Sequence, residues 1–143
     1  MKSMAQGRLA DKPSTVLLVD DEVRWLEAIK LTTEGASFEV ITAESGEAAL
    51  AELRRRTPDL ILSDVRMPSM NGFDLFEKVR SNPKTRRIPY VFMSSIDDLD
   101  ARLTANKLGA DGYVEKPFDS DDVKRVVLNL LTKFKHPTPP ASA

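Results

Sequence analysis

The stretch TVLLVDDE, residues 15–22, contains four consecutive apolar residues that are followed at once by three acids. A short, continuous apolar run of this kind is typical of a strand covered on both faces, as in a parallel sheet. Neighbouring carboxylates repel each other, so Asp20 and Asp21 cost free energy at this position unless a cation lies among them. The stretch therefore predicts a buried strand with a binding site at its carboxyl end.

Length and composition limit the class of protein. The 143 residues suit one compact domain, and Lys+Arg at 21 against Asp+Glu at 22 give a net charge of −1. This balance provides no general field for nucleic acid or an anionic membrane. The absence of cysteine excludes disulfides and thiolate sites, and no apolar segment has the length of a signal peptide or membrane span. We expect a soluble, cytoplasmic protein that contacts neither nucleic acid nor membrane directly.

Apolar runs of strand length alternate with amphipathic stretches of helix length, which is typical of successive βα units. Strands are predicted at residues 16–20, 38–42, 60–64, 90–94 and 112–116. The first, third and fourth runs are nearly continuous and should be central, whereas FEVIT at 38–42 alternates and should form an edge. With five helices and right-handed crossovers, the pattern predicts an α/β fold with an open, doubly wound parallel sheet.

The helix signals are clearest near the C-terminus. Apolar residues at helical spacing form one stripe there: Val123, Val126, Val127, Leu130, Leu131 and Phe134. Asp119 or Ser120 should cap this helix, and Ser45 should cap the helix of SGEAALAELRRR. Residues 1–13 are interpreted as a flexible lead-in, 14–134 as the domain, and 135–143 as a proline-rich tail or the start of a linker, with His136 in that tail.

Polar residues of defined chemistry follow four of the predicted strands. Asp20 and Asp21 end the first strand, Asp64 the third, Ser94 the fourth and Lys116 the fifth. A lone aspartate at a strand end is more often a helix cap. Capping does not explain the whole combination, however, and the carboxyl ends of parallel strands meet at one edge of the sheet. We therefore expect these five side chains to form one site.

The residue types indicate the chemistry of this site. Clustered carboxylates without His or Cys favour a hard cation, and Mg²⁺ fits best, with Mn²⁺ as a substitute. Calcium is disfavoured because no segment has the pattern of a calcium loop. Lys116 supplies a point charge and Ser94 a hydroxyl donor for phosphoryl oxygens. Asp64 remains as a nucleophile that can form an acyl phosphate.

The chain resembles the receiver domain of bacterial two-component response regulators, the CheY-like superfamily. The matching segments are LLVDDE at 17–22, PDLILSDVRMPSMNGFDL at 58–75, IPYVFMSS at 88–95 and LGADGYVEKPF at 108–118. Their order and spacing are those of the family, and together they span about residues 14–134. The resemblance implies a flavodoxin-like fold with five parallel strands in the order 2-1-3-4-5 and five flanking helices.

The resemblance also implies roles for individual residues around the acids. Asp64 would be the phosphorylated aspartate. Asp21 would bind Mg²⁺ directly, and Asp20 would act largely through water. The backbone carbonyl of Arg66 would complete the protein's share of the coordination. An apolar Ile96 beside Arg66 would slow hydrolysis of the acyl phosphate.

A second group of residues would carry the response to phosphorylation. By the same resemblance, Ser94 is the switch hydroxyl and Tyr113 the switch aromatic. Lys116 is the phosphate-binding lysine and is joined to Pro117 by a peptide bond that is usually cis in this family, as an X-Pro bond permits.

The implied activity is that of a signalling module. A phosphohistidine on a histidine kinase or histidine phosphotransfer protein would donate its phosphoryl group to Asp64. The surface of the fourth helix, fifth strand and fifth helix would then change shape and signal to a downstream protein. Such a protein is not an enzyme with a separate substrate, since it catalyses only its own phosphorylation and dephosphorylation.

Other classes use a similar fold or similar residues. A flavin- or nucleotide-binding module would need a Gly- and Ser/Thr-rich loop where this chain has acidic residues. An aspartyl-nucleophile phosphatase normally places its nucleophile after the first strand with a second Asp two residues on, where this chain has Glu22. A receiver-like interaction module without phosphorylation, and a receiver that is part of a longer regulator, are the remaining alternatives.

Two further groups of residues have less specific interpretations. The cluster Arg80, Lys84, Arg86 and Arg87 is expected to surround a solvated, charged loop, with partner docking as the minor alternative. Core packing or surface exposure, rather than stacking on a ligand, is expected for the four aromatic residues Trp25, Phe73, Phe76 and Phe118.

Overall fold

The computed structural model describes residues 13–95, 97–116 and 119–135. The predictions for the chain ends at 1–12 and 136–143, for Ile96, for Phe118 and for the Lys116–Pro117 peptide bond lie outside these residues.

Five strands and five helices alternate along the described part of the chain. The strands are β1 (Ser14–Val19), β2 (Phe38–Ala43), β3 (Leu60–Asp64), β4 (Tyr90–Ser95) and β5 (Gly112–Lys116). The helices are α1 (Val23–Thr32), α2 (Gly46–Arg55), α3 (Gly72–Ser81), α4 (Leu99–Leu108) and α5 (Ser120–Lys135). The predicted bounds of β3 and β5 are confirmed. The other three bounds were wrong in detail, because β1 starts two residues earlier and ends before Asp20, and β2 and β4 each extend one residue further than predicted.

The strands form one parallel sheet in the order β2-β1-β3-β4-β5. The predicted central positions of β1, β3 and β4 and the edge position of β2 are therefore confirmed. In the register of β1 and β3, Val19 is paired with Ser63. The next residue in each segment is an aspartate, so Asp20, directly after β1, and Asp64, the last residue of β3, lie side by side.

The core lies in two layers, one on each face of the sheet. Leu17 and Val19 face the layer of α2, α3 and α4, whereas Val16 and Leu18 face the layer of α1 and α5. All four of these side chains are almost fully buried, and each such burial contributes about 1.5–3 kcal/mol. This double coverage explains why the sequence of β1 is continuously apolar. The apolar stripe of α5 is buried as expected through Val123, Val127 and Leu131.

Side-chain hydrogen bonds cap the starts of α3, α4 and α5. Asn71 accepts a hydrogen bond from the Asp74 amide, and Asp74 accepts one from the Asn71 amide, which forms a capping box at α3. Asp98 caps α4 by accepting from the Ala101 amide at 3.1 Å. Asp119 accepts from the Asp122 amide at 3.0 Å at the start of α5.

The prediction that Arg80 belongs to a solvated loop was wrong. Its guanidinium donates to the Ile88 carbonyl at 2.9 Å and to Asp111 at 2.6 Å, and it lies 4.8 Å from the ring centre of Phe76. Asp111 also accepts from the Tyr90 amide at 2.8 Å. Arg80 therefore ties the start of β4 to the start of β5. The other three members of the basic cluster are exposed.

None of the helices in the described ranges has both the length and the apolar character needed to cross a membrane.

Candidate functional site

Three carboxylates converge at the carboxyl edge of the sheet. Asp20, Asp21 and Asp64 each offer one oxygen atom, and these atoms lie within 4.8 Å of one another. Asp20 is completely buried, Asp64 is 8% exposed and Asp21 is exposed. The register of β1 and β3 produces this arrangement, because it brings the two strand ends to the same level.

Lys116 contributes a cation to the same edge from β5. Its Nζ donates to Oδ2 of Asp20 at 2.6 Å and lies 3.7 Å from Oδ1 of Asp64. Nζ also lies 3.7 Å from Oε1 of the exposed Glu22 and 4.9 Å from the ring centre of Trp25. Burial alone would lower the pKa of Lys116, but the hydrogen bond to Asp20 and the surrounding carboxylates raise it above its usual value. The ammonium therefore stays charged.

The electrostatics of Asp64 are unfavourable for a lone carboxylate. Burial is the largest cause that raises its pKa, and the charge of Asp20 adds to it, which brings the pKa to about 6. Lys116 and the Val65 amide act in the opposite direction but do not cancel the increase. At neutral pH the site thus holds more negative charge than its surroundings compensate.

The backbone of Asp64 is fixed by close neighbours. The Ser63 hydroxyl donates to the Asp64 carbonyl at 2.9 Å. A Cβ atom added to Gly72 would lie 2.2 Å from that same carbonyl oxygen, so only glycine fits at the start of α3. The buried Tyr90 hydroxyl donates to the Gly72 carbonyl at 2.9 Å and holds this approach in place. Sequence reasoning missed Gly72 and Tyr90, since Asn-Gly indicates a turn but not what the turn touches.

Ser94, near the end of β4, is 2% exposed and donates its hydroxyl to Oδ2 of Asp98 at 3.0 Å. The same carboxylate accepts two hydrogen bonds from Arg66, both 2.9 Å long. The hydrogen bond from Arg66 is the main cause that lowers the pKa of Asp98 to about 2. Asp98 was not singled out from the sequence. Its partner Arg66 is 32 residues away in the chain, and no local pattern connects the two.

Tyr113 lies on β5, is half-buried and is paired in register with Phe92. The guanidinium of Arg102, on α4, lies 5.3 Å from the centre of its ring. Arg102 also contacts Glu115 at 3.2 Å. A cation–π contact and an ion pair therefore connect α4 with β5 beside Tyr113.

The donor set fits a hard divalent cation. Three carboxylate oxygens within 4.8 Å of one another can share one ion, since Mg²⁺ binds oxygen at about 2.0–2.1 Å and keeps several waters. No soft ligand belongs to this group, which agrees with Mg²⁺ or Mn²⁺. The backbone carbonyl of Arg66 follows Asp64 by two residues in the loop that leaves β3.

Fold and site together define a class of small, doubly wound α/β proteins with a cluster of carboxylates and a lysine at the carboxyl edge of the sheet. The model of the response regulator receiver domain family matches residues 16–128. The chain belongs to this family, and the resemblance noted from the sequence is confirmed. Receiver domains are signalling modules of two-component systems that bind Mg²⁺ at an acidic cluster and interact with histidine kinases and effectors.

Relatives of this chain include longer regulators. It is 42% identical over 123 residues to the response regulator PleD of Caulobacter vibrioides, covering 84% of this chain and 26% of PleD. It is 37% identical to the probable transcriptional regulatory protein TcrX of Mycobacterium tuberculosis, covering 86% of this chain and 51% of that protein. The chain therefore spans between a quarter and a half of the length of these relatives.

Solved structures share the fold at nearly full length. The chemotaxis protein CheY4 of Vibrio cholerae aligns with a TM-score of 0.73 at 29% identity, covering 82% of this chain and 98% of that one. A receiver domain protein from Clostridium thermocellum gives a TM-score of 0.72 at 27% identity, covering 87% and 99%. The order of the five parallel strands predicted from the resemblance is that of this fold.

Proposed function

We propose that Asp64 accepts a phosphoryl group from a phosphohistidine on a histidine kinase or histidine phosphotransfer protein in the cytoplasm. The observation that carries this proposal is the environment of the Asp64 carboxylate. This group is buried and its pKa is raised, and it lies 3.7 Å from the ammonium of Lys116 and within 4.8 Å of two further carboxylates. Such a carboxylate is costly to keep unless its charge is used. Membership of the receiver family supports the same role.

The metal-binding part of the proposal assigns four residues. Asp20, Asp21, Asp64 and the carbonyl of Arg66 would hold Mg²⁺ or Mn²⁺, with Asp20 acting largely through water. When bound, the ion supplies positive charge to phosphoryl oxygens. Within the chain, the ammonium of Lys116 already donates a 2.6 Å hydrogen bond to Asp20. The Lys116 side chain is therefore oriented before a phosphoryl group arrives.

In the proposed transfer step, a carboxylate oxygen of Asp64 forms a bond to phosphorus while the phosphorus–nitrogen bond of the phosphohistidine breaks. The imidazole leaves with the bonding electron pair and takes up a proton. Lys116 and the hydroxyl of Ser94 donate hydrogen bonds to the phosphoryl oxygens.

The switching part of the proposal concerns the surface of α4, β5 and α5. Ser94 moves toward the phosphoryl group, and Tyr113 fills the space that it leaves. This movement alters the contacts of Tyr113 with Arg102, which joins α4 to β5. Leu99 and Leu103 on α4 are 64% and 52% exposed, and they offer apolar contacts to a downstream protein.

The test is intact-mass measurement after incubation with Mg²⁺ and acetyl phosphate. Wild type should gain the mass of one phosphoryl group, and Asp64→Asn should gain none. Asp97→Asn is the matched control, because Asp97 is exposed and should leave labelling unchanged. If wild type gains no phosphoryl group and does not bind beryllofluoride, the alternative of a receiver-like interaction module without phosphorylation replaces this proposal.

A further inference from the structure

The carboxylate of Asp98 accepts hydrogen bonds from three parts of the fold. It accepts from Nε and Nη2 of Arg66 at 2.9 Å each, from Oγ of Ser94 at 3.0 Å and from the Ala101 amide at 3.1 Å. We refer to these contacts as the Asp98 network. The network joins the loop after Asp64, the end of β4 and the first turn of α4.

The hydroxyl of Ser94 has one proton to donate. In this structure that proton is directed to Asp98, and a phosphoryl oxygen on Asp64 would need the same proton. A hydrogen bond to a charged acceptor is stronger than one between neutral groups. Ser94 thus cannot reach a phosphoryl group without giving up a charge-assisted bond.

Asp98 is itself firmly held. The two parallel bonds from Arg66 fix the plane of the carboxylate, and the bond from Ala101 fixes its position on α4. The Asp98 side chain is only 14% exposed although that of Arg66 is 64% exposed. The pKa of Asp98, lowered to about 2 mainly by Arg66, keeps the acceptor charged at neutral pH.

We infer that Asp98 is a positioning residue that holds the Ser94 hydroxyl in the unphosphorylated orientation, with Arg66 and the start of α4 keeping the carboxylate in place. A phosphoryl group on Asp64 must compete with Asp98 for the hydrogen bond from Ser94. When the bond between Ser94 and Asp98 breaks, the first turn of α4 loses that contact with β4. This inference rests on the proposed phosphoacceptor function and adds a residue that opposes the switch.

The experiment measures the affinity of the Mg²⁺-loaded protein for beryllofluoride, an analogue of the phosphoryl group, by calorimetric titration. Asp98→Asn is the informative variant, because asparagine caps a helix as well as aspartate and keeps an acceptor oxygen but loses the charge. We expect the affinity to rise about fivefold, since a charge-assisted bond is replaced by a neutral one. Mg²⁺ affinity without beryllofluoride should stay unchanged.

Two controls separate positioning from a general loss of negative charge. Asp97→Asn removes a charge from the exposed neighbouring residue and should leave beryllofluoride affinity unchanged. In a Ser94→Ala background, Asp98→Asn should have no effect on beryllofluoride affinity, because the hydroxyl through which it acts is gone.

The outcomes distinguish this inference from the proposed function. If wild type binds beryllofluoride and Asp98→Asn binds it with equal or lower affinity, the inference is wrong while the proposed function stands. An increase in beryllofluoride affinity that persists in the Ser94→Ala background also contradicts the inference, since the increase is then caused by the loss of a negative charge and not by release of the Ser94 hydroxyl. Absence of any beryllofluoride binding by wild type removes the proposed function and the inference with it.

Discussion

Lys116 at the end of β5 donates a 2.6 Å hydrogen bond to Asp20, which follows β1 and lies 96 residues earlier in the chain. Asp20 is completely buried and the Lys116 side chain is 16% exposed. β3 lies beside β1, and Asp64 at its end is 3.7 Å from the same ammonium. The Lys116 ammonium thus contacts two buried carboxylates from neighbouring strands.

Replacing Lys116 by methionine should destabilise the metal-free protein. Asp20 would then be a buried charge without its cation, and breaking a buried pair in this way costs about 3–5 kcal/mol. We expect a loss in this range in the free energy of unfolding by urea in EDTA, and a partial recovery when Mg²⁺ is added. Lys84→Met, at an exposed loop lysine, is the control and should change stability little. Equal stability of the two variants would contradict the structural role of the pair.

Acidification should stabilise the metal-free protein between pH 7 and pH 5. Burial raises the pKa of Asp64 from 3.8, the ordinary value of an aspartate, to about 6 in the fold, so in this range the folded state binds more protons than the unfolded state. Its stability therefore rises as pH falls, by about 1 kcal/mol. Chemical unfolding in EDTA at several pH values measures this slope, which Asp64→Asn should flatten. If the free energy of unfolding has the same pH slope in wild type and in Asp64→Asn, the prediction is wrong.

The contribution of Asp98 to stability changes with pH in the opposite direction to that of Asp64, and it does so in a more acidic range. Its pKa is lowered from 3.8 to about 2, so the stability that it contributes is present above about pH 4 and is lost as pH falls toward 2. Unfolding measured between pH 4 and pH 2 should show a steeper loss for wild type than for Asp98→Asn. Parallel curves in this range would argue against the Arg66–Asp98 pair as a source of stability.

Mg²⁺ should raise the thermal midpoint of wild type, because a ligand that binds only the folded state stabilises it by mass action. Asp21→Asn should weaken Mg²⁺ binding about tenfold, since one charged oxygen ligand is lost. Asp21 is exposed, so its substitution should not cost folding stability. Glu22→Gln is the matched control, because Glu22 is also exposed but lies outside the group of three close carboxylates. Similar Mg²⁺ affinities for the two variants would contradict the assignment of Asp21.

Alanine at Gly72 should destabilise the protein and impair the site. Its Cβ would lie 2.2 Å from the Asp64 carbonyl oxygen and 3.0 Å from Cα of Val65, and such overpacking costs about 1–3 kcal/mol. Gly46→Ala is a matched control, since Gly46 also begins a helix but its Cβ would meet the flexible side chain of Met70. Gly72→Ala should unfold at lower urea and react more slowly with acetyl phosphate than Gly46→Ala. The reverse order in either measurement would refute the steric argument.

The sequence by itself determined the class of fold and the edge of the sheet where the site lies. Continuous apolar runs required strands covered on both faces, as β1 and β3 illustrate, and the alternation in FEVIT marked the edge strand β2. Because parallel strands all end at one edge, side chains that follow them were bound to meet, however far apart they are in the chain. Asp20, Asp21, Asp64 and Lys116 are brought together for this reason.

Only the tertiary structure decided which side chains contact each other within that edge. The pair of Arg66 and Asp98 spans 32 residues and that of Arg80 and Asp111 spans 31, and neither partner carries a local pattern that predicts the other. The approach of Gly72 to the Asp64 carbonyl depends on the path of a loop rather than on any periodicity. Periodicity fixes which face a residue occupies, whereas rotamers and loop geometry fix which atom it touches, and these form only when the chain is packed.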